Sequence, residues 1–275
     1  MGTRNYEGRR FDRQEVRATL DTLSLEEALQ ININNKAFTV TMRTPGDDAF
    51  LVRGLLHSEG ILTDASYIPD IQLRKERHKS AITIAELSVP MDQLGVNYNN
   101  SRSLLSVTSC GICGKTELDE LSSCEESLDP GQSIDIEVLH NLFDQMKEAQ
   151  HNFQKSGGTH AAMAFTIDGE ALCAKEDIGR HNAVDKVVGQ LIMEGNLDRA
   201  LCLTVSGRIS YEIVIKAFKA GMPFLAAVSA PSSLAVDYAK ELGISLFAFC
   251  REGRATCYAN PQNILNEKAS LKPIT

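Results

Sequence analysis

Apolar and polar positions follow a regular pattern in the second half of the chain. Two apolar runs, 161–167 and 171–174, flank Asp168-Gly169, which predicts a tight hairpin. Apolar residues at helical spacing predict helices at 136–146, behind a capping Asp135, and at 183–192, 210–220 and 233–242. Continuous apolar strands are predicted at 201–205, 224–228 and 244–249. Buried strands that alternate with helices indicate a mainly parallel sheet covered by helices on both faces.

The first half predicts a smaller mixed domain of short strands and one clear helix. The turn 43–48, with acidic helix-capping residues, leads into an amphipathic helix that Gly60 closes. Strands are predicted at 38–42, 67–73 and 81–89. The polar segment 1–13 is expected to be a loose tail or a strand that orders on assembly. With a linker at 129–131, the predicted fold class is α/β with an α+β first half, divided into domains 1–130 and 131–275.

Composition limits the class of protein. The chain has 275 residues, of which 43% are hydrophobic and 23% charged, as in an ordinary soluble globular protein. A net charge of −8 argues against nucleic-acid binding, which depends on neutralising phosphates with basic side chains. The sequence shows no apolar signal segment and no stretch long enough to span a membrane. Its seven cysteines are therefore expected to be reduced thiols in a cytoplasm.

Two of these cysteines, Cys110 and Cys113, lie in a glycine-rich loop at 109–114. Glycines at 111 and 114 have no side chain to restrict the backbone next to the thiols, so the loop there can bend. A helix is predicted to start at 116, and a thiol just before a helix N-terminus is favoured in its reactive thiolate form. The loop therefore predicts sulfur chemistry.

Four interpretations of this loop are open: a redox pair, half of a zinc site, a sulfur-carrying nucleophile, or two buried structural thiols. A structural zinc site needs a second tightly spaced ligand pair, whereas Cys250 and Cys257 are widely spaced and Cys124 stands alone. A thioredoxin-like motif should follow a strand, but residues 97–103 are polar and irregular. A polar, glycine-rich loop is also a poor core segment, so persulfide carriage is favoured.

Basic loops follow the predicted parallel strands, where ligands of such sheets usually bind. The loops lie at 206–210, 229–233 and 250–254, and two of them lead directly into helix N-termini, which attract anions. Arg208, Arg251 and Arg254 are candidate phosphate partners, and Arg180 and His181 stand at another helix start. These loops predict a phosphorylated ligand, unless they are ordinary solvated loops. His181 could equally be a cap, and His160 could equally be structural.

Six segments together resemble the formate dehydrogenase accessory sulfurtransferase family, FdhD. They lie in order along the chain, at 43–48, 109–114, 157–162, 176–186, 206–210 and 249–254. The resemblance implies a cytoplasmic sulfur carrier. Such a carrier takes persulfide sulfur from a cysteine desulfurase and passes it to the molybdenum or tungsten bis-pterin guanine dinucleotide cofactor of formate dehydrogenase.

The resemblance also implies residue roles. Cys110 would carry the persulfide, and the role of Cys113 stays open. The expected cofactor-binding residues, from the strand-end pattern and the resemblance together, are Arg180, His181, Ser206, Gly207, Arg208, Ser229, Phe249, Cys250, Arg251, Glu252, Gly253 and Arg254. Glu252 departs from the family, in which related sequences often have proline. We expect no resident metal, and we expect a two-fold homodimer because the cofactor has two near-equivalent halves.

Two other function classes are considered. The family's second domain is similar to the cytidine deaminase fold, but a zinc deaminase needs H-x-E followed by P-C-x-x-C. His160 is followed by two alanines, and the CxxC lies upstream without a preceding proline, so deamination is disfavoured. The other alternative is a cofactor-binding chaperone in which the cysteines have no role.

Overall fold

The computed structural model describes residues 2–62, 64–76, 81–100 and 127–265. The segment 1–13, predicted to be a loose tail or a strand that orders on assembly, contains strand β1 (Thr3–Phe11), which pairs with β2 (Val16–Ser24) in a long antiparallel hairpin. The hairpin is exposed along most of its length and is tied at its base, where Leu25 N–H donates to the Gly2 carbonyl. The sequence does not predict the pairing of these strands, because β1 has charged residues on both faces and the alternating Val16, Ala18 and Leu20 of β2 face solvent instead of a core.

A four-stranded sheet follows, in the order β4-β3-β6-β5. Its strands are β3 (Glu27–Ile33), β4 (Lys36–Arg43), β5 (Asp70–Arg74) and β6 (Ile84–Ser88). Helix α1 (Asp48–Ser58) packs on the apolar face of this sheet, and α2 (Val96–Asn100) ends the described part of the first half. The three predicted strands are confirmed as β4, β5 and β6.

The predicted acidic cap of α1 is wrong in detail. Asp47 occupies the N-cap position with a left-handed backbone (φ 57°), and its side chain makes no capping hydrogen bond. It pairs instead with Lys175, at 2.9 Å, while Asp48 accepts from Arg43 Nε at 2.7 Å in the core. Both carboxylates are therefore engaged by cations of other elements.

The second half contains a six-stranded sheet in the order β13-β12-β11-β10-β8-β9. The strands are β8 (His160–Phe165), β9 (Ala171–Asp177), β10 (Cys202–Val205), β11 (Phe224–Ala227), β12 (Ser245–Arg251) and β13 (Arg254–Ala259). Strands β10, β11 and β12 are parallel, whereas the other three pairings are antiparallel. The sheet is therefore mixed, which corrects the prediction of a mainly parallel sheet.

A hairpin that was not predicted explains part of this difference. Residues 250–254 are not a loop leading away from the sheet, because the chain turns at Glu252 and Gly253 and returns as β13. Both turn residues have positive φ, 54° and 68°, which is the backbone of the tightest hairpin turns. The predicted hairpin at Asp168-Gly169 is confirmed between β8 and β9.

Helices cover both faces of this sheet, as predicted. Helices α5 (Arg180–Met193), α6 (Tyr211–Lys219) and α7 (Ser233–Glu241) share one apolar core with it. Helix α3 (Ile136–Ala149), capped by Asp135 as predicted, packs on the opposite face. The short α4 (His151–Ser156) follows, and β7 (Ile134–Asp135) pairs with β14 (Ile264–Leu265).

The two halves meet where α1 crosses α5. Gly54 and Gly189 lie at this crossing, where neither position has room for a β-carbon. The boundary at residue 130 stays a prediction. Within the described ranges, no helix combines the length and the apolar character needed to cross a membrane.

Candidate functional site

The carboxyl ends of β10, β11 and β12 open on one edge of the sheet, because these three strands are parallel. The loops that follow them are joined by backbone hydrogen bonds. Ile209 N–H donates to the Ala230 carbonyl (3.1 Å), and Phe249 N–H donates to the Ser229 carbonyl (3.2 Å). The structure thus brings the predicted loops 206–208, 229 and 249 together.

His160 lies at the same edge, because β8 starts there and runs antiparallel to β10. The Ser206 hydroxyl accepts a hydrogen bond from Ala161 N–H (2.8 Å), next to His160. A β-carbon on Gly207 would lie 3.1 Å from His160 Nδ1 and 3.6 Å from Arg180 Cβ, so glycine permits this close approach. The sequence left the role of His160 undecided. The antiparallel pairing of β8 with β10, which places His160 at the carboxyl end of β10, is the feature that could have identified it.

The electrostatics of this corner favour an anion. Burial lowers the pKa of His160, and the charges of Arg180 and Arg208 lower it further against an opposing effect of Asp177. The imidazole is therefore neutral at neutral pH. Arg180 Nε is buried and has no hydrogen-bond partner within the described part of the chain. An arginine donor without an acceptor, beside a second arginine, suits a carboxylate or phosphate oxygen.

Glu212, a carboxylate that the sequence analysis did not identify, lies close to His181 and Arg180. Glu212, in the first turn of α6, has an oxygen 3.9 Å from His181 Nε2, which is itself 3.3 Å from the Ser210 hydroxyl. Burial raises the pKa of Glu212, but the Ser210 hydrogen bond and the charges of His181 and Arg180 bring it below its usual value. Glu212 is thus an ionised countercharge at the start of α6.

The predicted residues of 249–254 divide into exposed and buried groups. Arg254 and Glu252 form an exposed ion pair of 2.7 Å at the hairpin turn, and Arg251 is also exposed. Phe249 is partly exposed, and its ring centre is 6.3 Å from that of Tyr258. The thiol of Cys250, by contrast, is buried in the core beneath α3, and burial raises its pKa to about 12. The Cys250 side chain therefore faces the core, and the predicted contact of Cys250 with the cofactor stays a prediction.

Cys110 and Cys113 lie outside the described residues. The described residues on either side of them lie near the amino ends of β11 and β12, at the edge of the sheet opposite to the candidate site. On one side, Asn97 donates to the Glu59 carbonyl (2.9 Å) beside Lys219, the last residue of α6. On the other side, Leu128 N–H donates to the Leu242 carbonyl (2.9 Å) at the end of α7. Helices α6 and α7 end where β11 and β12 begin, far from the corner of His160 and Arg180.

In the ranges that the structure describes, no group of three or more histidine, cysteine, aspartate or glutamate side chains is arranged to hold a metal ion.

The comparisons with known proteins agree on one family. The FdhD/NarQ family model matches residues 24–265. The chain is 40% identical over 259 residues to a sulfur carrier protein FdhD from Streptomyces avermitilis, covering 92% of both chains. It is also 40% identical over 250 residues to a sulfur carrier protein FdhD from Thermoplasma acidophilum, covering 89% of this chain and 87% of the relative.

Among solved structures, a crystal structure from Desulfotalea psychrophila, described as a formate dehydrogenase accessory protein, has the same fold. The TM-score is 0.77 at 18% sequence identity, covering 96% of this chain and 100% of the other. From the match over most of its length and from these relatives, the chain belongs to the FdhD/NarQ family.

Proposed function

We propose that this protein is a cytoplasmic sulfur carrier that serves a formate dehydrogenase. It takes persulfide sulfur from a cysteine desulfurase and transfers it to the molybdenum or tungsten bis-pterin guanine dinucleotide, which is its substrate. The observation that carries the proposal is family membership, with relatives named as sulfur carrier proteins. The anion-binding character of the corner at Arg180 and Arg208 supports a substrate that contains phosphates.

Sulfur loading is a thiol exchange on Cys110. The Cys110 thiolate attacks the terminal sulfur of the desulfurase persulfide. The sulfur–sulfur bond of the donor breaks, its cysteine leaves as a thiolate, and Cys110 now carries the persulfide. No net oxidation or reduction takes place in this step.

Delivery of that sulfur as sulfide requires two electrons, for which Cys113 provides one source. In this version the Cys113 thiolate attacks the Cys110 sulfur, the bond to the terminal sulfur breaks, and sulfide leaves toward the metal of the substrate. The two cysteine thiols are oxidised to a disulfide while the transferred sulfur is reduced. In the alternative version Cys113 only protects the loop, and a cellular thiol supplies the electrons.

The proposed substrate site is the edge that carries Arg180, His181, the loop 206–208, Ser229 and the hairpin 249–254. Strands β10 and β11 have four residues each, so they separate the two edges of the sheet by only ~13 Å. Nine residues lie between Asn100 and Cys110, and the ten residue-to-residue steps of a fully extended chain span up to about 33–36 Å. This reach exceeds the spacing of the two edges along the strands, which is compatible with Cys110 serving a substrate at the far edge.

Intact-mass measurement tests the proposal directly. The protein is incubated with a cysteine desulfurase and cysteine, and we expect a reductant-labile gain of one sulfur atom that maps to Cys110. Cys110→Ala should abolish this gain, whereas Cys257→Ala, at a partly buried cysteine in β13, should retain it. Cys113→Ala should load sulfur but fail to activate formate dehydrogenase if Cys113 supplies the electrons. Full activation by Cys110→Ala would replace sulfur transfer with the chaperone alternative.

A further inference from the structure

Thr44, in the turn after β4, is hydrogen-bonded through its N–H, its hydroxyl oxygen and its carbonyl to α5 and to the segment that leads into it. Its N–H donates to Asp177 Oδ2 (3.1 Å), and its hydroxyl accepts from Ile178 N–H (3.0 Å). Its carbonyl accepts from Lys186 Nζ (2.8 Å). Thr44 is only 1% exposed, so these three bonds are shielded from water.

Asp177 is the centre of this arrangement and is completely buried. Its Oδ2 is 2.7 Å from Lys186 Nζ, and its Oδ1 accepts from Gly179 N–H (2.8 Å) and from Asn182 Nδ2 (3.0 Å). Asn182 Nδ2 also donates to the Met42 carbonyl (2.8 Å), which adds a further bond from the first half. The turn at 177–179 is therefore held from inside by the first half of the chain.

This turn determines where α5 begins. Helix α5 starts at Arg180, directly after Gly179, and its first two residues are Arg180 and His181. Asp177 also lies opposite His160 in the register of β8 and β9. The residue that carries this buried carboxylate is thus next to the backbone positions of three residues of the candidate site.

We propose that Thr44, Asp177 and Lys186 form a positioning unit for the ligand site. Through it, the first half of the chain, which leads into the segment of Cys110, fixes the orientation in which Arg180 and His181 meet an anionic ligand. The inference rests on the proposed function, since it assumes that this edge binds the phosphates of the substrate. Residues of the first half thus set the affinity of the site for its ligand without touching the ligand.

The two halves also make a second polar contact that does not involve this unit. Ser58 of α1 donates to Asp185 Oδ1 (2.8 Å), about one and a half turns further along α5 from Arg180. Burying the Asp177–Lys186 ion pair requires removing both charges from water, which is costly. A contact that only held the halves together could be apolar, like the α1–α5 crossing at Gly54 and Gly189.

The test compares ligand affinity with stability in matched variants. Thr44→Val removes the acceptor of Ile178 N–H with almost no change in volume, Thr44→Ser keeps it, and Ser58→Ala removes one buried hydroxyl at the other contact. Guanosine diphosphate is the probe, titrated by calorimetry well below the unfolding temperature of every variant. We expect Thr44→Val to weaken binding of guanosine diphosphate about tenfold and Thr44→Ser to bind it like the wild type. Ser58→Ala should lower the urea midpoint and leave the dissociation constant unchanged.

Arg180→Ala separates the two hypotheses. If Arg180→Ala binds the nucleotide like the wild type, the proposed site itself is wrong. If Arg180→Ala loses affinity while folded Thr44→Val keeps it, the site stands and the positioning role is overturned. Should Thr44→Val not fold, Asn182→Ala removes the Met42 bond, and the same loss or retention of affinity decides the question.

Discussion

Gly54 of α1 and Gly189 of α5 lie so close that the two helices touch through their backbones. A β-carbon on Gly54 would overlap the backbone oxygen of Asp185, and one on Gly189 would overlap the backbone oxygen of Phe50. The two helices belong to different halves of the chain. Their contact therefore fixes the distance between the first-half sheet and the second-half sheet.

Alanine at either glycine should separate these helices. We expect Gly54→Ala and Gly189→Ala each to lower the free energy of unfolding by about 3 kcal/mol or more, because backbone atoms cannot move aside as side chains do. Urea unfolding measures the change. Gly8→Ala in the exposed hairpin is the control, and it should change stability by less than about 1 kcal/mol. Wild-type stability in Gly54→Ala would contradict the close crossing.

The half-buried imidazole of His57, at the end of α1, predicts a pH dependence of stability. His57 Nε2 lies 2.9 Å from the Lys219 carbonyl. Burial lowers the pKa of His57, and nearby cations lower it further, against the opposing effect of that hydrogen bond. The charged imidazole is thus less favourable in the folded state than in the unfolded state.

The sign follows from this difference in pKa. The stabilisation that His57 contributes is fully present above its pKa in the unfolded state, about 6.5. It is lost as the pH falls from there through the lower pKa of His57 in the folded state. We expect urea unfolding to show less loss of stability on acidification in His57→Gln than in the wild type. Glutamine keeps a donor for the Lys219 carbonyl without a titrating ring. Identical pH profiles of the two proteins would contradict the assignment.

Arginines at the two ends of the proposed site should differ in their effect on binding. Arg208 acts on the buried corner beside His160, whereas Arg254 is exposed and already paired with Glu252. We expect Arg208→Ala to weaken binding of guanosine diphosphate by about ten- to a hundredfold. Arg254→Ala should weaken it less. Titration of both variants checks this, and wild-type affinity in both would reject the strand-end site.

Buried thiols should not compete with Cys110 for sulfur or for alkylating agents. Burial raises the pKa of Cys173, Cys202 and Cys250 to about 12, so their thiolate forms are negligible at neutral pH. In the native protein, iodoacetamide at neutral pH should leave all three unmodified in peptide mass maps. Unfolding in urea should make them reactive. Rapid native modification of Cys250 would show that its thiol is accessible after all.

The homodimer stays a prediction. Two copies of the strand-end site would match the two near-equivalent halves of the bis-pterin guanine dinucleotide. We expect light scattering to give twice the mass of one chain at micromolar concentration, with or without nucleotide. A monomer under both conditions would contradict the two-fold assembly.

Local patterns were sufficient for much of the second half. The hairpin at Asp168-Gly169, the cap at Asp135 and the apolar face at 183–192 are set by neighbours within a few residues, so the sequence alone determined them. The six motif segments also determined the family. The pairing of β1 with β2 escaped prediction because charged residues occur on both faces of β1 and the apolar side of β2 faces solvent. Strand β13 escaped prediction because no continuous apolar run follows the turn at Glu252-Gly253.

The tertiary structure decided which of the motif residues meet. Segment 43–48 and segment 176–186 are more than a hundred residues apart, yet Thr44 binds Asp177 and Lys186 inside the molecule. It also placed Cys250 in the core and His160 beside Arg180. The burial of Cys250 fits the alternation of β12, in which Phe249 and Arg251 are exposed. The contacts of Thr44 with Asp177 and the placement of His160 beside Arg180 do not depend on local periodicity. Each follows from the order and direction of strands in the sheet and from the crossing of α1 over α5, which form only when distant parts of the chain pack together.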